Sequence, residues 1–472
     1  MKWKTTFLGT IITVLLSITT LSSQQKFSLA DAIKYALEHH PSLTTSRLDG
    51  ENAKWQYKEA LSIGMPRING NVDYSYFYKL PITPIQDFIS PSVYGVLIQE
   101  QVTTENGVVT PASIPEPQTF NVTFQQNHSL NLGLKGEVLL FDGNFLKGLK
   151  AAKLFIDLAE QQIQLTEQDI VQNVARAYQN VLITLKNVEI IDKNIANITL
   201  SLDEAQEIYN NGFIEQLDVD RLELSLQNLQ FERQKLTELT DVSYSILKYQ
   251  MAYHINQEME VTDDLETVVA LMTLKINSID QIVYESRPEH RLLTKAIELD
   301  YADLERIKQG YYPSVTGFAG YGQNLQRNSL FNGSETGFLP NGSVGLRARI
   351  PIYDGGYTKS KIQQKKIEIE KRQIELSEFD RAMTLQVIST ETQYHNAQRS
   401  LVNAKRSLEL NEKIYDKTQI KYKEGVGSSV EVTQAEASLY QAQANYINAL
   451  YDLLSSKTEL DIATGQILKT VK

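Results

Sequence analysis

The chain of 472 residues contains no cysteine. That excludes disulfides, thiolate metal sites, cysteine nucleophiles and a lipidated cysteine anchor. Histidine is scarce, at positions 39, 40, 128, 254, 290 and 395, without the HExxH pattern or any other ligand spacing. His39-His40 precedes Pro41 on a short helical stretch and reads as surface. Gly143 to Lys150 superficially suggests a phosphate loop, but Leu149 follows Gly148 where lysine is required. Methionines are few and scattered, against a copper-binding specialist. No nucleophile–base constellation is present, so the sequence predicts no enzyme, no cofactor and no metal. A basic run is missing too. With a net charge of −11 and a pI near 5.3, nucleic acid is excluded as a partner.

Long apolar runs are confined to the start. Lys2 and Lys4 precede an apolar stretch from Phe7 to Leu21, then Ser22-Ser23-Gln24-Gln25. This predicts a secretory signal over 1–23, with the short, threonine-rich run arguing against a membrane anchor. No later segment approaches the roughly 20 apolar residues of a spanning helix. An exported chain of this kind enters a membrane as strands or not at all.

What is present is one very long helical pattern. Asn144 to Tyr209 holds no proline and a single glycine, Gly148, and turns at Asn210-Asn211-Gly212. Its near-heptad seam runs through Val171, Val174, Tyr178, Val181, Leu185 and Val188, then Ile191, Ile195, Ile198, Leu202, Ala205 and Tyr209, with a stammer between Val188 and Ile191. At 1.5 Å per residue such a helix is about 100 Å long. A seam that narrow and long requires helices alongside it.

Around this stretch the period alternates between helix and strand. Phe27 to Leu61 reads as helix broken at His40-Pro41, with Ser28 as N-cap and Asp31 as its capping-box partner. Strands are predicted over 66–79 and 128–142, joined by an irregular loop at 80–127 that holds six of the twelve prolines and no lysine or arginine. A second long helix is expected over 218–249. The landmarks then recur. Pro41 and Pro288 stand 247 positions apart, as do Pro66 and Pro313, Gly70 and Gly317, and Tyr74 and Tyr321. Asp142-Gly143 is answered by Asp354-Gly355, and Tyr209-x-x-Gly212 by Tyr422-x-x-Gly425. The chain is a duplication. The first repeat spans 24–275. The second spans 276–472, with strands near 313–325 and 341–353, helices near 357–421 and 430–464, and a shorter loop at 323–341 with turns at Asn332-Gly333 and Asn341-Gly342.

Four alternating strands cannot close a membrane barrel, which needs at least eight, so a barrel reading requires oligomers: two copies supply eight strands, three supply twelve. Lys135, Arg347 and Arg349 facing lipid would each cost roughly 2–4 kcal/mol. In a barrel they face the lumen, and the Leu/Val/Ile rows face lipid. Tyrosines at 74, 76, 78, 311, 312, 321 and 353 suit an interfacial girdle. A soluble antiparallel sheet fits the same alternation. Val315 to Tyr321 leaves the facing open, since Val315 and Phe318 point opposite ways.

With the corners Phe141-Asp142-Gly143 and Tyr353-Asp354-Gly355, and the tips Tyr209-Asn210-Asn211-Gly212 with Leu217-Asp218-Val219 and Tyr422-Lys423-Glu424-Gly425 with Val430-Glu431-Val432, the mature chain resembles the TolC-type outer-membrane efflux family. The resemblance implies a mainly α protein with a membrane β-barrel: a homotrimer whose twelve-stranded barrel continues into a twelve-helix periplasmic α-barrel. It implies the outer membrane of a Gram-negative bacterium, extending into the periplasm, and as partners a periplasmic adaptor (membrane fusion) protein, an inner-membrane RND or ABC transporter and outer-membrane lipid. By position it implies a periplasmic gate at Asp218, Tyr422 and Glu431. The docking tips would be Gly212, Phe213, Ile214, Gly425, Val426, Gly427 and Ser428. A basic latch residue of some members falls here at Gly427, and a second acidic position at Gln434, so a gate here has fewer or different ion pairs. Asp218 and Glu431 also sit in first helical turns, where carboxylates favour the helix dipole. The implied function is a passive export duct of a tripartite efflux or type I secretion system. The alternative is a structural coiled-coil envelope protein without a lumen; a diffusion porin is disfavoured by the helix content.

Overall fold

A computed structural model describes residues 25–104, 107–108, 110–111, 116, 118–273, 283–329 and 337–470. The expected signal at 1–23 and the turn at Asn332-Gly333 lie outside them. The described elements begin with β1 (Gln25–Phe27), α1 (Leu29–His39), α2 (Pro41–Ser62), β2 (Arg67–Tyr76), β3 (Thr83–Gln86), α3 (Ile89–Gln99), β4 (Thr103–Thr104), β5 (Gly107–Val108), β6 (Thr119–Val122) and β7 (His128–Phe141). Then come α4 (Gly143–Asn210), α5 (Gln216–Gln250), β8 (Met259–Val261), α6 (Leu265–Thr273) and α7 (Pro288–Lys308). The chain closes with β9 (Ser314–Arg327), β10 (Leu339–Arg349), α8 (Tyr357–Lys423), α9 (Ser429–Ala463) and α10 (Ile467–Thr470). Two compact units form. One comprises 1–55, 153–301 and 366–472, the other 56–152 and 302–365.

The second unit is organised on an antiparallel sheet in the order β10-β9-β7-β2. Its register settles which side chains share a face. Tyr74, Leu130 and Leu325 align, as do Val72 with Leu132, Leu134 with Tyr321, and Gly317 with both Val138 and Leu346. Val315 joins this apolar face opposite Ala348. The other face carries Asn69, Asn71, Asp73, Lys135, Glu137, Arg347 and Arg349. Phe318 lies on this polar side under the Arg347 guanidinium, 5.3 Å from ring centroid to Cζ, and its ring leaves room only for hydrogen at Gly345. That resolves the facing of 315–321.

Both strand-to-helix corners are fastened by aspartate. Asp142 Oδ1 accepts from the amides of Asn144 and Phe145 at 2.7 and 3.2 Å. Asp354 accepts from Gly356 and Thr358 at 2.9 and 2.8 Å. The second corner also needs Gly355 and Gly356 at φ +67° and +83°, a left-handed step that glycine takes without strain.

The boundaries depart from expectation in instructive places. The strand expected over 341–353 starts at Leu339 and stops at Arg349, because Pro351 has no amide to donate; Tyr353 lies beyond it. The strand expected over 66–79 ends at Tyr76, and β9 runs on to Arg327, into the loop expected at 323–341. The loop at 80–127 is not irregular throughout. It contains α3, the paired strands β3 and β6, and the pair β4 and β5.

In the helical unit, β1 and β8 pair in parallel. Ser28 and Asp31 form the full capping box of α1, and His40 is extended before Pro41. The main core gathers Ile33, Leu43, Val174, Tyr178, Leu247, Met251, Leu265, Tyr394 and Leu450. Tyr178 threads it, donating from its hydroxyl to Asp263 Oδ2 (2.9 Å), while the Leu29 amide donates to the same carboxylate oxygen (2.7 Å). Two smaller cores serve the hairpin ends. Ile198, Ala205, Val219, Leu222 and Leu229 sit between α4 and α5; Tyr415, Val432, Ala435 and Leu439 sit between α8 and α9.

Candidate functional site

Each long hairpin turns on a glycine in the left-handed region: Gly212 at φ +78° and Gly425 at φ +73°. At the first turn the Gly212 amide donates to the Tyr209 carbonyl (2.8 Å) and the Phe213 amide to that of Ile208 (3.2 Å). At the second, Gly425 donates to Tyr422 (3.0 Å) and Val426 to Lys421 (3.0 Å). These are helix C-cap bonds that satisfy carbonyls left free in the last turn. Gly427 adds a third bond to the Lys421 carbonyl, and a Cβ there would stand 3.1 Å from the Tyr422 amide nitrogen. A side chain at 427 would therefore crowd backbone. Ser428 caps α9, its Oγ accepting from the Glu431 amide at 3.3 Å.

The apolar tip residues divide. Phe213 is 82% exposed and Val426 75%. Ile214 instead packs into the first hairpin's core. The acidic pair divides as well. Glu431 is exposed in the first turn of α9. Asp218 reaches across to the other hairpin, where it accepts from the buried Ser429 hydroxyl on α9. Arg221, one turn on from Asp218, lies 3.8 Å from its carboxylate and donates to Ser429 Oγ at 3.2 Å. The cation beside Asp218 thus comes from its own helix, α5. Tyr422 belongs to the second hairpin's core; its hydroxyl is buried without a hydrogen-bond partner. Burial pushes its phenol pKa up, and the Asp218 charge adds to this. Asp218 and Tyr422 are brought together; Glu431 has Ser428 as its neighbour instead.

Sequence reasoning missed the residues that tie the hairpins to one another. Arg221 and Ser429 are two. One heptad inward, Glu436 on α9 accepts from the hydroxyls of Ser225 on α5 (3.1 Å) and Tyr440 on α9. Another heptad on, Gln443 exchanges amide bonds with Asn194 on α4 at 2.8 and 3.3 Å. The signal was available: 429, 436 and 443 repeat at seven beside the apolar seam Val432, Ala435, Leu439 and Ala442. Further hydrogen bonds join Gln419 to Ser201 (2.8 Å) and Lys423 to Glu204 (2.7 Å), between α8 and α4.

Among the described residues no cluster of His, Asp or Glu suits a metal ion, and no helix is long and apolar enough to cross a membrane. Lys135, Arg347 and Arg349 share the polar sheet face and are exposed.

Comparison with known proteins places this geometry. The family profile described as "Outer membrane efflux protein" matches residues 298–466. Outer membrane protein TolC of Vibrio cholerae is 26% identical over 187 residues, which is 37% of this chain and 41% of that protein, so the match spans under half of that relative's length. Among solved structures, CusC superposes with a TM-score of 0.70 at 16% identity, covering 93% of this chain and 92% of its own. The outer-membrane channel OprN gives 0.69 at 15%, covering 93% and 90%. VceC of Vibrio cholerae gives 0.66 at 15%, covering 93% and 96%. The chain has the fold of outer-membrane efflux channels.

Proposed function

We propose that this chain, an outer-membrane protein resembling the TolC-type efflux family, is the channel subunit of a tripartite efflux or type I secretion system. In this reading three copies close a twelve-stranded barrel and a twelve-helix periplasmic tunnel, with the polar sheet face, including Lys135, Arg347 and Arg349, lining the lumen. One observation carries it: a sheet apolar on one face, polar on the other, with β2 and β10 left as edges. In lipid every edge must be paired, so such a sheet is one arc of a closed ring. Exposed apolar residues at heptad steps support it on the helices: Leu217, Leu224 and Phe231 on α5, and Ile367, Ile374, Ile388 and Val402 on α8. Stripes of this kind ask for partner helices.

The hairpin tips are the periplasmic entrance, with Asp218, Tyr422 and Glu431 at the gate. Gly212, Phe213, Gly425, Val426, Gly427 and Ser428 form the surface for a periplasmic adaptor serving an RND or ABC transporter, Ile214 supporting them from within. The test is a pair of measurements. Heat-modifiable trimers in outer-membrane fractions and single-channel conductance in planar bilayers are expected. A monomer, or a trimer that never conducts, would leave the envelope-scaffold reading instead.

A further inference from the structure

The inward ladder on α9, Ser429, Glu436 and Gln443, crosses to α5 at its first two rungs, and these are reciprocal. At the rung nearest the turn, α5 supplies the acid (Asp218) and α9 the hydroxyl (Ser429). One heptad inward, α5 supplies the hydroxyl (Ser225) and α9 the acid (Glu436). They differ in compensation. Asp218 has the Arg221 guanidinium 3.8 Å away. Glu436, 2% exposed, is met by hydroxyls alone: Ser225 from α5 and Tyr440 from its own helix. The electrostatic neighbour from α8 is Tyr415, whose own acidic surroundings are Asp416 and, from α4, Glu204. No lysine or arginine pairs with Glu436 among the described residues.

A buried carboxylate held only by neutral donors is costly, because two hydroxyls replace a full hydration shell and no cation offsets the charge. A neutral side chain of the same size would hold α9 to α5 more cheaply. The cost is recovered when the group reaches water, which here requires α9 to leave α5. We propose that Glu436 is a positioning residue of the entrance: protonated, it locks α9 against α5; ionised, it primes their separation. This rests on the tips being the entrance. Burial raises the Glu436 pKa above its ordinary value, with the Tyr440 and Ser225 hydroxyls opposing the shift. The closed arrangement therefore binds the proton more tightly than the open one. Closure strengthens as pH falls through the raised value, and the gain levels off below the ordinary glutamate range, where both states are protonated.

The experiment is hydrogen exchange at the first turns of α9 in the full-length protein in detergent, corrected for intrinsic rates, at about pH 7.5 and 5.5. Each unit of pKa difference between the states makes opening up to about tenfold easier at the higher pH. Glu436→Gln, near-isosteric and neutral, should open rarely at both values, while Glu409→Gln, at an exposed position on α8, should keep the wild-type response. Ser225→Ala removes a donor that favours the charged form, so its response should move to higher pH. An unaltered pH response in Glu436→Gln, or faster opening than wild type at the higher pH, would overturn the proposal, as would an unmoved response in Ser225→Ala. Planar-bilayer conductance separates the two claims. The exchange response without conductance removes the channel reading and leaves Glu436 in place; conductance without the exchange response does the reverse.

Discussion

Between α4 and α5 the hairpin end is closed mainly by aliphatic side chains: Ile198, Val219, Leu222 and Leu229 are buried, and Ile191, Ile195, Leu202 and Ile214 pack around them, with Tyr209 and Tyr440 at the border. Between α8 and α9 the corresponding core is Tyr415, Val432, Ala435 and Leu439, bordered by the buried Ser429, Glu436 and the unpartnered Tyr422 hydroxyl. The turns themselves match, each with a left-handed glycine and the same pair of capping bonds. The two hairpins share the backbone device and differ in the fastening. Aliphatic burial tolerates no water, whereas a polar core regains hydrogen bonds on hydration. The second hairpin thus has the more polar fastening of the two.

Four measurements would break or sharpen that contrast, taken from the largest effect down. Leu222→Ala should destabilise the first hairpin by about 2–5 kcal/mol, since a cavity remains where aliphatic neighbours cannot collapse; thermal unfolding of the detergent-solubilised protein reads it. A loss near zero would dissolve the distinction. Gly212→Val and Gly425→Val should each cost about 1–2 kcal/mol through left-handed strain, equally at both turns. At Gly425 the added bulk should also weaken adaptor capture while trimers persist on gels; loss of trimers would reassign that glycine to folding.

The third concerns pH, where the half-buried Glu289 and the buried Glu436 run in opposite directions. At Glu289 burial works to raise the pKa, but bonds from Arg287 prevail and hold it below the ordinary value. Its contribution is complete above the unfolded pKa and is lost as pH falls through the lowered one. Glu436, lacking a cation, moves the other way. Acidification should thus loosen exchange protection around Arg287 while tightening it at the second hairpin; parallel changes would refute the assignment. The smallest effect is Tyr422→Phe. Removing a buried hydroxyl that bonds nothing should be neutral or stabilising by up to about 1 kcal/mol, where deletion of a bonded group would destabilise.

The corners and the turns at the hairpin ends were legible because left-handed glycine and helix-capping aspartate impose local constraints that survive in any context. Helix ends fell within two residues for the same reason: Gly212, Gly425 and Gly465 stop helices wherever they stand. The helix Ile89–Gln99 was hidden among prolines, and its residues are apolar without a 3.6-residue stripe to betray it. The end of β10 at Arg349 was overrun because Ile350 and Ile352 continue an alternation that Pro351 cuts. At the tips, Asp218, Tyr422 and Glu431 were singled out together, but Arg221 and Glu436 were not. Their partners lie 208 and 211 positions away, on a helix whose rotation about its axis no single-helix pattern specifies.

The order β10-β9-β7-β2 is antiparallel throughout, so its two outermost strands run in opposite directions. Set β2 of one copy beside β10 of the next and the up-down alternation continues across the junction. Such a joint is heterologous: each subunit offers two different surfaces, and adding a copy consumes one free margin while exposing another. Growth then has no intrinsic end until curvature returns the last margin to the first, so the accumulated twist of the strands, rather than any affinity between a pair of chains, does the counting.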